Sequence, residues 1–280
     1  MGLRIVAAFL AALVLAAAAA AAGGVAEAVR YLESHRAADG AFAEPAGRPG
    51  PGLTAWAVLG LRAAGTPARE LEASAAYLAR DGEESATDLE LKLVARGALG
   101  ERPPELIARV RALGRPDGSI GPTVNSTIWG ILALRAVGEP APPAAVSHLL
   151  RRQHRSGGWP WTAAAAPDSN DTAAALQALR AAGVVGAPIR RGLRFLRAHQ
   201  NRDGGFELTE GRGSDAQSTA WAVQALLAAG ERPPAAALRY LTRLRRPDGS
   251  YRYSARYAVT PVWVTSQVLT ALAGKPLPIR

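Results

Sequence analysis

The sequence contains no cysteine. That single absence excludes disulfides, thiolate metal sites and cysteine nucleophiles. Histidine is scarce, with four residues: His35, His148, His154 and His199. Each falls on the basic first helix of an expected helix pair, and no two are spaced as metal ligands are. Surface or helix-terminal positions are their expected setting, and no metal and no cofactor is expected. Lysine is rarer still: only Lys92 and Lys275, so 31 of the 33 basic residues are arginine. Long apolar runs are missing after residue 22, so no later segment is expected to span a bilayer.

The one long apolar run comes first. Arg4 is followed by an apolar stretch from Ile5 to Ala22 that ends in small residues, the layout of a secretory signal peptide. An uncleaved membrane anchor is the alternative. A lipoprotein anchor is excluded, because no cysteine follows. The expected organisation is a signal segment at 1–22, one domain over 25–274 and a tail at 275–280, in an exported monomer. Net charge is +10. A basic surface of that kind suits an anionic lipid or a cell-wall polymer, while a solvated helix face is the plainer explanation. No nucleic-acid partner is expected.

What the chain has instead is a repeat, which organises everything else. Pro188 to Gly230 is a basic amphipathic helix, a tight Asp203-Gly204-Gly205-Phe206 turn, and a nearly wholly apolar helix entered through Ser218-Thr219. Six such units run from about Val25 to Gly274, with turns at Asp39-Gly40, Asp81-Gly82, Asp117-Gly118, Gly157-Gly158, Asp203-Gly204 and Asp248-Gly249. Glycine after a helix closes it in the left-handed conformation, and proline opens the next one at no hydrogen-bond cost. Thr54–Gly65, Thr127–Gly138, Thr172–Gly183 and Thr219–Gly230 are each 11 residues apart, while units two and six fit loosely. Polar residues before the apolar runs are expected to cap the second helices.

The two helix types predict the architecture. The first of each pair carries one apolar stripe and an arginine-rich face, as with Arg190, Arg191, Arg194 and Arg197 beside Leu193, Phe195 and Leu196. The second is apolar nearly all round, hence buried on both sides or facing an apolar cavity. Six pairs then form an inner ring of six helices within an outer ring of six. Helices packed about 8–10 Å apart on a hexagon, less a helix radius of about 5 Å, leave a central hole on the order of 8 Å wide.

The stretch Arg191 to Phe206 resembles the repeat signature of squalene and oxidosqualene cyclases. Arg191, Gly192, Phe195, Leu196, Gln200 and Gly204 fill the pattern, as do Leu149, Gln153, Gly157 and Trp159 in unit four. The likeness covers essentially all of 25–274. It implies an all-α fold, the α/α toroid shared by terpene cyclases, protein prenyltransferase β subunits and cobalamin-carrier proteins. Pro167-Asp168-Ser169-Asn170-Asp171-Thr172-Ala173 also resembles the Asp-Xaa-Asp-Asp-Thr-Ala segment of class II terpene cyclases, whose middle aspartate protonates an alkene or epoxide. Such protonation needs an unusually strong acid shielded from water. Here the middle position is Asn170, which has no acidic proton, and Asp168 and Asp171 match only the flanking positions. Asn125 and Gln217 occupy the place of Asn170 in other units, so capping is the plainer role for this polar position. Prenyltransferase and lanthionine-cyclase chemistry need cysteine and are excluded. Squalene-type cyclases carry a second helical domain for which this chain has no room.

Trp56, Trp129 and Trp221 share one repeat position, nine residues before the closing glycine, and so form a girdle. They either line the hole as stacking surfaces or pack between the helix layers. Trp159, Trp161, Phe206, Tyr251, Tyr253 and Tyr257 follow the turns, where they either rim one end or pack beneath it. Longer loops at 160–167 and 207–214 put recognition at one face of the ring. The expectation is an exported, non-catalytic repeat protein holding a small apolar, amphipathic or isoprenoid-like ligand in its centre. Its ligand-binding candidates are Trp56, Asn125, Trp129, Trp159, Asn170, Asp171, Gln217 and Trp221. The alternatives are a terpene cyclase-like enzyme of the isomerase or lyase class, with Asp168 and Asp171 catalytic, and a surface scaffold or adhesive protein.

Overall fold

Proline at or near the first helical position and glycine just past the last divide the chain into short helices. The computed structural model describes residues 24–80 and 85–279. The expected signal segment, and the turn at Asp81-Gly82, lie outside those residues. Helix α1 covers 24–33. It is followed by α2 (Pro51–Ala63), a 3-10 turn (Ala68–Leu71) running into α3 (Glu72–Leu78), α4 (Ala86–Ala98), α5 (Pro104–Ala112) and α6 (Val124–Ala136). Then come α7 (Pro143–Arg151), α8 (Ser169–Ala181), α9 (Ala187–Ala198), α10 (Ala216–Ala228), α11 (Ala235–Arg243) and α12 (Pro261–Leu272). The only strands among the described residues are the two-residue β1 (Trp159–Pro160) and β2 (Pro167–Asp168), which pair antiparallel.

The even-numbered helices close on themselves. Helix α2 packs on α4, α4 on α6, α6 on α8, α8 on α10, α10 on α12, and α12 back on α2. Outside them α3, α5, α7, α9 and α11 pack on the preceding inner helix. The fold is therefore all-α, an α/α toroid.

Three devices recur from unit to unit. Thr54, Thr127, Thr172, Thr219 and Thr265 accept, through their side-chain hydroxyls, the backbone N–H of Phe42, Ile120, Trp159, Phe206 and Tyr251 at 2.9–3.1 Å. Each bond pins the turn to the inner helix it leads into. Among the described residues, each turn glycine abuts the next unit's outer helix. A Cβ on Gly204 would lie 2.6 Å from the Ala236 carbonyl oxygen, and one on Gly249 would lie 2.5 Å from that of Glu27, which closes the ring. At the other end, Arg62, Arg135 and Arg180 donate to the Ala98, Ala181 and Ala228 carbonyls of the next inner helix in the ring. These are orphan carbonyls of helix C-termini.

The threonine bond also corrects the register of unit six. Thr265 stands nine residues before Gly274, not eleven. Gln267, two residues after Thr265, therefore takes the place held by Trp56, Trp129 and Trp221 in their units.

The seam between first and last units carries a cap of its own. Thr260, at the N-terminus of α12, adopts φ 44 and makes no side-chain cap. Glu44 of unit one supplies it instead, accepting the Val262 and Trp263 amides at 2.9 Å each. Glu44→Ala is expected to cost about 1–2 kcal/mol in urea unfolding. An unchanged urea midpoint would show that the cap contributes nothing to closure.

Candidate functional site

All six inner helices start at the same face, and the residues of their first two turns decide what that face offers. The capping residues are Ser85, Thr123, Asp168 and Asp215, which accept from the amides of Asp88, Ser126, Asp171 and Ser218. This corrects the capping role expected for Asn125, Asn170 and Gln217. Those three lie two residues inside the helices, where a side chain no longer reaches the free amides. All three are half-buried at the start of α6, α8 and α10.

Their neighbours add further polar groups at this face. Asn125 donates its side-chain amide to Asp171 Oδ1 at 2.7 Å, linking α6 to α8. Asp171 is 7% exposed. Burial, then the charge of Asp168 and a side-chain hydrogen bond with it, push the Asp171 carboxyl up to about 8, and Asn125 opposes the shift. Burial beside Asp168 thus favours the protonated Asp171 carboxyl, whose Oδ1 accepts from Asn125. Asp215, capping α10, is buried and also raised, by desolvation first. The long loops form the rim. Asn125 N–H donates to the Trp161 carbonyl, Ser169 N–H to Leu208 and Ala216 N–H to Tyr253, so each loop is tied to the inner helix of an adjoining unit. Trp161 stands 56% exposed on this rim.

Along its axis the ring is shut. Trp56, Trp129 and Trp221 reach inward from α2, α6 and α10, alternate helices of the ring. Their rings meet pairwise at centroid distances of 5.6, 5.7 and 5.8 Å, with interplanar angles of 85°, 86° and 88°. Side chains from three alternate helices can touch mutually only at the axis, so the three indoles form an edge-to-face propeller there. The intervening helices present Leu91 on α4, Ala174 on α8 and Gln267 on α12 at this level, smaller side chains that leave room for the indoles. Trp221 Nε1 donates to Gln267 Oε1 at 3.0 Å. The expected hole of about 8 Å is therefore corrected: three indoles fill it, and Trp56, Trp129 and Trp221 are packed against one another rather than open to a ligand. At the far end the described part of the expected tail, residues 275–279, packs against the ring. Leu277 N–H donates to Gln177 Oε1 at 2.8 Å, and Leu277 and Ile279 are both buried.

Trp159 is also corrected as a ligand candidate. It is fully buried beneath its turn and donates Nε1–H to the Leu149 carbonyl at 2.7 Å. Phe206 and Tyr251 are buried likewise. Among the described residues no group of three or more His, Asp and Glu could hold a metal ion. The structure brings together Asn125, Asp168 and Asp171, and places Asn170 and Gln217 at the same helical level.

One residue escapes sequence reasoning. Glu90 on α4 is 0% exposed, and neither carboxyl oxygen has a hydrogen-bond partner among the described residues. Burial alone pushes it up to about 10. In D-L-E-L-K-L, residues 88–93, the charges alternate, and residues two apart fall on opposite sides of a helix, so Glu90 lies across α4 from Asp88 and Lys92.

No family model matches the sequence, and no curated protein does. Solved structures match closely in shape. A crystal structure of a protein from Actinoplanes is similar with a TM-score of 0.69 and 21% identity, covering 91% of this chain and 99% of that one. A type II terpene cyclase from Scytonema, in complex with its substrate geranylgeranyl dihydroxybenzoate, has a TM-score of 0.67 at 17% identity, covering 91% and 97%. A glycosidase in complex with glucose has 0.65 at 14%, covering 92% and 98%. The structural neighbours thus include terpene cyclases and glycosidases of the α/α toroid fold, and at these identities the likeness speaks to fold alone.

Proposed function

We propose that this chain is an exported recognition module on a terpene cyclase-like toroid, one that binds rather than converts. Its ligand is a small amphipathic molecule whose polar head meets the side chains of Asn125, Asn170, Asp171 and Gln217 at the starts of the inner helices. The observation that carries this is the polar pair of Asn125 and Asp171 joining α6 to α8. The tryptophan propeller closes the centre where the ligand is expected, so the ligand is placed at the polar face, and it also speaks against conversion. A cyclase must enclose a folded isoprenoid, and here the enclosed space is occupied by three mutually packed indoles. The acid is missing too. Asn170 cannot donate a proton to an alkene, and a carboxyl that holds its proton to about 8, as Asp171 does, is a weaker acid than ordinary aspartate. Amides, a protonated carboxyl and the Asp168 carboxylate provide donors and acceptors for a polar head instead.

A second reading rests on Asp171 alone. It is buried, protonated and beside a second carboxylate, as a displaced general acid would be. The test is incubation of the full chain with squalene and with geranylgeranyl dihydroxybenzoate, the ligand of the Scytonema cyclase, followed by mass spectrometry of the extract. Both compounds are expected to come back unchanged. Cyclised product that disappears in Asp171→Asn would overturn the binding-only account in favour of the enzyme.

A further inference from the structure

The loops of units five and six, with Tyr240 of α11, line a groove with room of about 430 Å³ that includes none of Asn125, Asn170, Asp171 and Gln217. That is within the range of about 300–1,000 Å³ typical of small-ligand sites. Its aromatic residues are graded by depth. Tyr240 forms the floor, 4% exposed, with its hydroxyl donated to the Ser214 carbonyl at 2.7 Å. Tyr253 is half-buried along the wall. Tyr257 stands at the lip, 53% exposed, with the Arg256 guanidinium 6.0 Å over its ring.

An exposed tyrosine on a loose loop would mean little, but this loop is tied down. Ser254 Oγ accepts the amides of Arg256 and Tyr257, and Ser254 N–H donates to the Tyr257 carbonyl. Arg252 donates to the carbonyls of Ser254 and Ala255. The opposite wall is fixed through Asp203, whose Oδ1 accepts from Gly205 N–H and from the Ser214 hydroxyl. Asp203 Oδ2 has no partner among the described residues. The groove is thus formed before any ligand arrives, which lowers the ordering cost of binding.

The polar lining narrows the ligand class. Arg212 and Arg256 offer donors and Asp203 offers a carboxylate, so the lining carries both signs, while Asp215 lies buried beneath it as the cap of α10. A strongly anionic or cationic ligand gains nothing from such a lining. A neutral ligand rich in hydroxyls gains from both halves, because each hydroxyl donates to a carboxylate while it accepts from a guanidinium. A tyrosine face at the lip suits the flat C–H face of a sugar ring.

We propose that this groove is a second binding site, and that it takes a neutral saccharide across Tyr257 and Tyr253. The test is calorimetric titration of the full chain with cellotetraose, chitotetraose and maltotetraose, each in turn. At least one is expected to bind with a Kd of about 1 mM or tighter. Tyr257→Ala should weaken that binding about tenfold, and Arg256→Ala should weaken it measurably, while Tyr257→Phe retains the stacking face and the affinity. Tyr77→Ala, a tyrosine on α3 outside the groove, should leave binding unchanged. Circular dichroism would confirm that each variant is folded. No heat with any of the three sugars, or binding indifferent to Tyr257→Ala in a folded variant, would overturn the proposal.

Discussion

Replacing Glu90 with leucine is expected to stabilise the chain by about 3 kcal/mol at pH 7, raising the melting temperature by about 6–12 °C. The argument starts from an acid with no hydrogen-bond partner inside an apolar ring. In the unfolded chain a glutamate titrates near 4.3 and is ionised at pH 7. In the folded chain it stays neutral up to about 10. Folding at pH 7 must therefore return a proton to it, which costs about 1.4 kcal/mol for each pH unit above the unfolded value. The sign follows: between about pH 4 and pH 10 the folded state binds more protons than the unfolded state, so stability falls as pH rises. Asp171, held neutral to about 8, adds a second contribution of the same sign over a narrower window. Leucine removes the Glu90 part and also removes two buried oxygens that lack partners. Thermal unfolding at pH 5, 7 and 9 checks this. The variant should gain most at pH 9 and least at pH 5, and a gain independent of pH would contradict the buried neutral acid.

Trp129→Ala is expected to cost about 3–5 kcal/mol, the usual range for emptying a buried tryptophan site. The vacancy would lie on the ring axis, bounded by the two remaining indoles. A dry apolar cavity of that kind admits small apolar molecules. Benzene should then raise the melting temperature of the variant and leave the wild type unmoved. Trp221→Ala should cost more than Trp129→Ala, because it also leaves Gln267 Oε1 without its donor at 3.0 Å. Because each indole touches the other two, the costs should not add, and a double variant measures the coupling. Equal and additive losses would mean that the rings do not form one propeller.

Repeat punctuation made much of this architecture legible in advance. Pro, Asp-Gly and the threonine-to-glycine spacing located the units and their alternation of wet and dry helices. The direction of the tryptophans was only half legible. Equal repeat positions put Trp56, Trp129 and Trp221 on the same side of their helices, yet periodicity does not say whether that side is the axis or the outer layer. Helix spacing gave a hole because it counts average helix radii, and three indoles from alternate helices exceed that average. Position within the first turn was misjudged because a cap and a second-position residue look alike in sequence. The structure separates Asp168, which bonds the Asp171 amide at 2.8 Å, from Asn170, which sits two residues further in. Gln267 was hidden by the shortened sixth unit, and the threonine bond to Tyr251 is what reveals its register. Glu90 is hidden by residue type, since glutamate is seldom fully buried, and only the helical period, which sets it across α4 from Asp88 and Lys92, sets it apart from them.

The most direct test of the closed axis is a crystal structure of the wild type under xenon pressure, beside that of Trp129→Ala. No xenon is expected on the ring axis of the wild type, and one site is expected there in the variant. Xenon bound on the axis of the wild type, between the rings of Trp56, Trp129 and Trp221, would show an open centre and contradict the account of a toroid that recognises only at its polar face.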